Sequence, residues 1–92
     1  MEQRNISEAT KVLIADNFKN TELGLERIAK NLGLQGLSTA ELITHCRRII
    51  QETPIQDVEI RGKNYYFHST EYSAMLTINR SSLGIITAKP HS

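Results

Sequence analysis

The hydrophobic period changes at Pro54, and this switch constrains the fold of the 92-residue chain more than any other feature. Before the proline, apolar residues recur at the three- and four-residue spacings of one helix face. After it, they alternate with polar residues, as on a half-buried strand. Helices followed by strands predict an α+β domain over residues 1–92, with three N-terminal helices packed on one face of a four-stranded antiparallel meander.

The helical half carries its own punctuation. Residues 6–18 read as a first helix, with Asn5 as cap, Glu8 as the capping-box partner, and Ile6, Ala9, Val12, Leu13 and Phe18 as the apolar stripe. Thr21 caps a second helix over 22–32. Here Leu25, Ile28, Ala29 and Leu32 share a face, and Gly33 takes the left-handed position at the end. Gly24 in its first turn costs ~1 kcal/mol against alanine, and close approach of another backbone is the expected reason. Ser38-Thr39-Ala40-Glu41 is an S-x-x-E capping box that opens a third helix over 39–52, buried through Leu42, Ile43, Cys46, Ile49 and Ile50. Thr53-Pro54 ends it, because the residue before proline avoids the α region.

The strands are expected over 55–61, 64–69, 74–80 and 85–89. Gly62-Lys63 suits a two-residue turn with glycine first. That turn sets Ile60 opposite Tyr65, Glu59 opposite Tyr66, Val58 opposite Phe67 and Asp57 opposite His68. Thr70 to Ser73 is the next turn. Ser82-Leu83-Gly84 fits a three-residue loop with Gly84 left-handed, which sets Arg80 opposite Ile86, Asn79 opposite Thr87, Ile78 opposite Ala88 and Thr77 opposite Lys89. Val58, Ile60, Tyr65, Phe67, Leu76 and Ile78 then face the helices. Asp57, Glu59, Tyr66, His68, Thr77, Asn79, Thr87 and Lys89 face away, and Lys89-Pro90-His91-Ser92 is a tail.

Composition removes several classes of function. A formal charge of +1 supplies no broad field for drawing in a nucleic-acid backbone, so any such contact must come from a local cluster. Cys46 stands alone, so no intramolecular disulfide forms, metal-ligand spacing is absent, and no cofactor is implied. No apolar run approaches the ~18 residues of a membrane span, and the polar start is unlike a signal peptide. These features predict a cytoplasmic protein that does not engage membranes.

Three stretches together carry a resemblance. They are Glu22-Leu23-Gly24-Leu25-Glu26-Arg27-Ile28 leading to Asn31-Leu32, then Gly62-Lys63-Asn64-Tyr65-Tyr66, then Leu76-Thr77-Ile78-Asn79 running to Ile85-Ile86-Thr87-Ala88. The chain resembles a small bacterial domain family of unknown function marked by ELG-x-ERI-x-x-NL, GKN-[WY]-Y and IT-[VI]-N…IITA. Its pattern has tryptophan at Tyr65 and His-Lys at Lys89-Pro90. The resemblance implies helices followed by a sheet, and no activity. A looser, fold-level resemblance is to the barnase, EndoU and RelE group of small ribonucleases, which work on an open sheet face.

The candidate chemistry follows from the outward face. Metal-free cleavage of RNA by its own 2′-hydroxyl needs a base, an acid and cations for the phosphorane. His68, oriented by Asp57, with Glu59 as alternative base and Tyr66 beside it, forms the candidate catalytic set. Lys63, Lys89, Arg61 and Arg80 are the candidate binding cations, Arg80 pointing inward unless it escapes at the strand end. The plain alternative is that a polar outer face with opposite-charge pairs is what any one-sided antiparallel sheet displays. Two other classes stay open. One is a non-enzymatic module binding another protein. The other is a helix-turn-helix read through the third helix, although its Arg47 and Arg48 come late and base contacts usually come from the N-terminal part.

Overall fold

The structure, a computed structural model, describes residues 6–91. Its elements run α1 (Glu8–Asn17), α2 (Glu22–Leu32), α3 (Thr39–Glu52), a 3-10 turn (Ile55–Asp57), β1 (Val58–Arg61), β2 (Asn64–Ser69), β3 (Ala74–Asn79) and β4 (Ile85–Pro90). The four strands form one antiparallel sheet in the order β1-β2-β3-β4. α2 lies along β4, α3 crosses β2 and β3, and α1 packs on α3. The α+β architecture, with helices on one face of a meander, is the predicted one. Among the described residues no helix is long and apolar enough to cross a membrane.

Capping explains why α2 and α3 begin where they do. Thr21 accepts from the Gly24 amide at 3.0 Å, and Ser38 and Glu41 satisfy each other's backbone amides at 3.1 and 2.8 Å. Gly33 ends α2 at φ +70°, which suits glycine because no Cβ opposes it. Gly24 has a different reason from the expected one. A Cβ there would stand 3.0 Å from the hydroxyl of the capping Thr21, so the cap itself keeps the position small.

The first helix departs from its expected face. Asn5 lies outside the described residues, and Ser7 caps α1 by accepting from the Thr10 amide at 3.0 Å. Val12 and Leu13 are 55% and 56% exposed, while Lys11, Ile14 and Ala15 are buried. Lys11 fits there because its ammonium donates to the Thr53 carbonyl at 3.0 Å, past the end of α3, while the aliphatic stem covers the core. Arg47 repeats the device from α3, donating Nε to the Ala15 carbonyl at 3.0 Å with its guanidinium over the Phe18 ring.

The main core joins Ile14, Phe18, Ile28, Ile49 and Ile50 of the helical half to Val58, Phe67, Leu76, Ile78 and Ala88 of the sheet. Phe67 is fully buried between Val58 and Leu76 on the neighbouring strands. The Asn31 side chain donates to the Ala88 carbonyl at 3.0 Å and ties α2 to β4.

Two strand expectations are corrected. The first strand begins at Val58, because Ile55–Asp57 turn once in a 3-10 helix after Pro54. The β3–β4 register is Leu76↔Ala88, Thr77↔Thr87 and Ile78↔Ile85, with a bulge. It differs from the expected register by two residues for Ala88 and Thr87, and so keeps their faces. Ile86, the extra residue, is 44% exposed, and Ile85 takes the inward place. Leu83 adopts the left-handed conformation, φ +60°, where Gly84 was expected. Asn79 arranges this loop by accepting from the Ser81 and Ser82 amides, both at 2.9 Å. Leu83 packs against the core, and the Lys19 backbone bonds to Leu83 and Ile85, holding the start of β4 beside the segment after α1.

Candidate functional site

The helices bury one face of the sheet, and the polar side chains gather on the other. Strand alternation fixes the rows. Glu59, Tyr66, Thr77 and Thr87 lie on one rung across all four strands, and His68, Met75 and Lys89 lie on another. Thr77, in the middle of its rung, is 4% exposed.

Glu59 is the hub. One carboxylate oxygen is 3.1 Å from His68 Nε2, and the other is 3.6 Å from Arg61 Nε. The side chains of Glu59 and His68 are 43% and 29% exposed, so the pair is supported by the sheet yet open to a ligand. When the imidazole is neutral, the bond to the carboxylate makes Nε2 the protonated nitrogen and leaves Nδ1 with the lone pair. The Arg61 guanidinium lies 4.5 Å from the centre of the Tyr66 ring, and the Tyr66 hydroxyl is 3.4 Å from the Asn64 side-chain nitrogen.

A second imidazole completes the cluster. The His91 ring meets the His68 ring edge to face, with centroids 5.4 Å apart and planes at 76°. Lys89 and Pro90 of the expected tail are instead sheet, paired with Met75 and Ala74, and just past the strand the His91 amide donates to the Ser73 carbonyl at 2.9 Å. The signal was the alternation itself, since Thr87, Lys89 and His91 continue the outward period past a proline that an edge strand tolerates.

Of the residues singled out from sequence, Glu59, Tyr66, His68 and Arg61 come together, with Lys89 on the rung of His68. Asp57 does not join them. It belongs to the 3-10 turn, is exposed, and makes no ion pair among the described residues, so the expected pairing with His68 is replaced by the one from Glu59. Lys63 and Arg80 lie at the far end of β2, roughly 17 Å of strand from His68 at ~3.4 Å per residue. Arg80 has left β3 and is exposed. It donates to the Gly62 carbonyl at 3.1 Å, beside a depression of ≈ 310 Å³ lined by Gly62, Lys63, Tyr65, Arg80 and Ser81.

Other chemistry-bearing groups are spoken for. Cys46 is fully buried, and burial pushes its thiol up to about 11, against nucleophilic use. His45 stacks edge-on to Tyr72, and burial together with Arg48 holds its imidazole below the ordinary value. The Tyr72 hydroxyl donates to Glu52 at 2.9 Å, which holds the phenol above its ordinary value. Arg47, one of the two arginines of the DNA-reading alternative, is committed to Ala15 and Phe18. Among the described residues no three His, Cys, Asp or Glu side chains gather as a metal-holding set.

No curated protein and no solved structure matches the chain. Residues 12–89 match a protein family, and this chain is therefore a member of the family described as protein of unknown function (DUF3781).

Proposed function

We propose that this protein binds RNA on the outer face of its sheet and cleaves it through attack of the ribose 2′-hydroxyl, with no metal ion required. The observation that carries the reading is the Glu59–His68 pair, 3.1 Å apart on the sheet face opposite the described helices. A carboxylate that orients an imidazole and stabilises the imidazolium is a recurrent way to make a general base near neutral pH. His68 takes the 2′-hydroxyl proton at Nδ1 while Glu59 holds Nε2. The 2′-oxygen then bonds to phosphorus as the phosphorus–5′-oxygen bond breaks, leaving a 2′,3′-cyclic phosphate on one product and a protonated 5′-hydroxyl on the other.

The cations around the pair suit the charge that this step develops. Arg61 is part of the cluster, and Lys89 lies on the same rung as His68. Both serve the phosphorane oxygens. Tyr66, with Arg61 over its ring, supplies a surface on which a base stacks. Lys63, at the hairpin turn, contacts a phosphate further along the strand of RNA. The near-neutral total charge accords with a binding face made by this local cluster.

The test is incubation of the purified protein with an oligoribonucleotide in excess EDTA, beside a DNA oligonucleotide of the same sequence. Cleavage confined to the RNA, leaving 2′,3′-cyclic phosphate ends, is expected. An intact oligoribonucleotide, or equal cleavage of the DNA, refutes the proposal.

A further inference from the structure

We infer that His91 is the second acid–base residue of this site, protonating the 5′-oxygen that leaves when the 2′-hydroxyl attacks. The inference rests on the proposed RNA cleavage and adds to it a division of labour between two imidazoles.

Transfer of the phosphoryl group to the 2′-oxygen needs two proton movements at opposite ends of one phosphorus centre. The 2′-hydroxyl loses its proton as the 2′-oxygen–phosphorus bond forms. The phosphorus–5′-oxygen bond then breaks, and the departing oxygen, a poor leaving group as an alkoxide, must gain a proton. The products are a 2′,3′-cyclic phosphate and a free 5′-hydroxyl, with one proton taken up and one given. A single imidazole serves one end at a time. The outer face presents two, with centroids 5.4 Å apart, so one phosphodiester can lie against both.

Their surroundings differ in the way the two roles demand. His68 has a carboxylate at Nε2, which compensates the positive charge an imidazole acquires when it takes a proton. His91 has no carboxylate partner among the described residues, and it comes two residues after Lys89, just past the end of β4 at Pro90. A base belongs at His68 and an acid, which gives up positive charge in the step, at His91. The placement of His91 is built into the sheet. Its amide bonds to Ser73 across from β4, and Pro90, paired with Ala74, stiffens the approach.

The experiment compares His91→Ala and His68→Ala with the wild-type chain on two substrates. One is an oligoribonucleotide. The other is a nucleoside 3′-(p-nitrophenyl phosphate), whose leaving group departs without protonation. General acid catalysis contributes typically 10²–10⁴-fold. His91→Ala is therefore expected to slow RNA cleavage by about 10²-fold or more while leaving release of p-nitrophenolate within a few-fold of wild type. His68→Ala is expected to slow both. Equal slowing of both substrates by His91→Ala assigns it a structural role and overturns the inference, as does no slowing of either. Wild-type protein inert toward both substrates removes the underlying RNA-cleavage reading, and the inference with it.

Discussion

Replacing Lys11 by methionine is expected to destabilise the protein more than any truncation of its apolar neighbours Val12 and Leu13. Lys11 is 8% exposed, and its ammonium donates at 3.0 Å to the carbonyl of Thr53, itself fully buried at the end of α3. Methionine retains the stem and removes the donor, leaving a buried carbonyl unpaired at a cost of about 1–3 kcal/mol. Relief of the buried ammonium offsets part of this. The 3.4 Å contact to Glu8 adds little, because that carboxylate is 67% exposed. A net loss of about 1–2 kcal/mol follows, or roughly 4–16 °C in Tm for a domain of this size. Val12→Ala removes a side chain already 55% exposed and is expected to stay within about 0.5 kcal/mol. Urea unfolding followed by far-UV circular dichroism measures both. A Val12→Ala loss exceeding that of Lys11→Met refutes the packing described for α1.

Three further outcomes follow from the same structure. Gly62 sits at φ +60° with nothing within 4 Å of an added Cβ, so Gly62→Ala is expected to cost about 1–2 kcal/mol through backbone strain alone. Gly36, equally open and at an ordinary φ, is the neutral control; equal effects in urea unfolding would contradict the turn geometry. The Cys46 thiol is expected to resist alkylation in the native protein and to react at once in denaturant, and rapid native labelling at pH 8 would show that it is not sealed in the core. His45 is held below its ordinary value of 6.5, so the unfolded chain binds that proton more readily. Its contribution to stability is full above pH 6.5 and is lost as pH falls through the lower folded-state value. His45→Gln should therefore flatten the acid side of the stability profile between those values, and a steeper profile would reverse the sign argued for His45.

Much of the fold was legible because local chemistry and global packing agree in the middle of the chain. The Thr21 cap, the Gly33 C-cap, the Ser38–Glu41 box and the glycine-first turn at Gly62 each specify one backbone state, and α2, α3 and β2 lie where these signals put them. α1 was misread because an apolar count cannot see that a lysine stem is buried and its ammonium satisfied by Thr53, 42 residues away in sequence. The β3–β4 register was misread for a similar reason. The loop is set by the Asn79 side chain and by the Lys19 backbone, and the packing of Leu83 outweighs the preference for glycine at a positive φ.

The candidate site was legible as a face and not as a set of partners. Period-two alternation placed Glu59, Tyr66, His68 and Lys89 together. Directly opposite pairing then suggested Asp57 for His68, whereas the 3-10 turn removes Asp57 from the strand and the Glu59 carboxylate reaches His68 diagonally. His91 was read as part of a tail, whereas Pro90 pairs with Ala74 and the His91 amide bonds to Ser73, which sets its ring against His68.

The central claim is that His68, held by Glu59, is the general base of an RNA-cleaving face. Its most direct test is the first-order rate of oligoribonucleotide cleavage in EDTA by wild-type and His68→Ala proteins whose unfolding midpoints in urea agree. The account predicts a loss of about 10²–10⁴-fold in the variant. Equal rates in two equally folded proteins would contradict it.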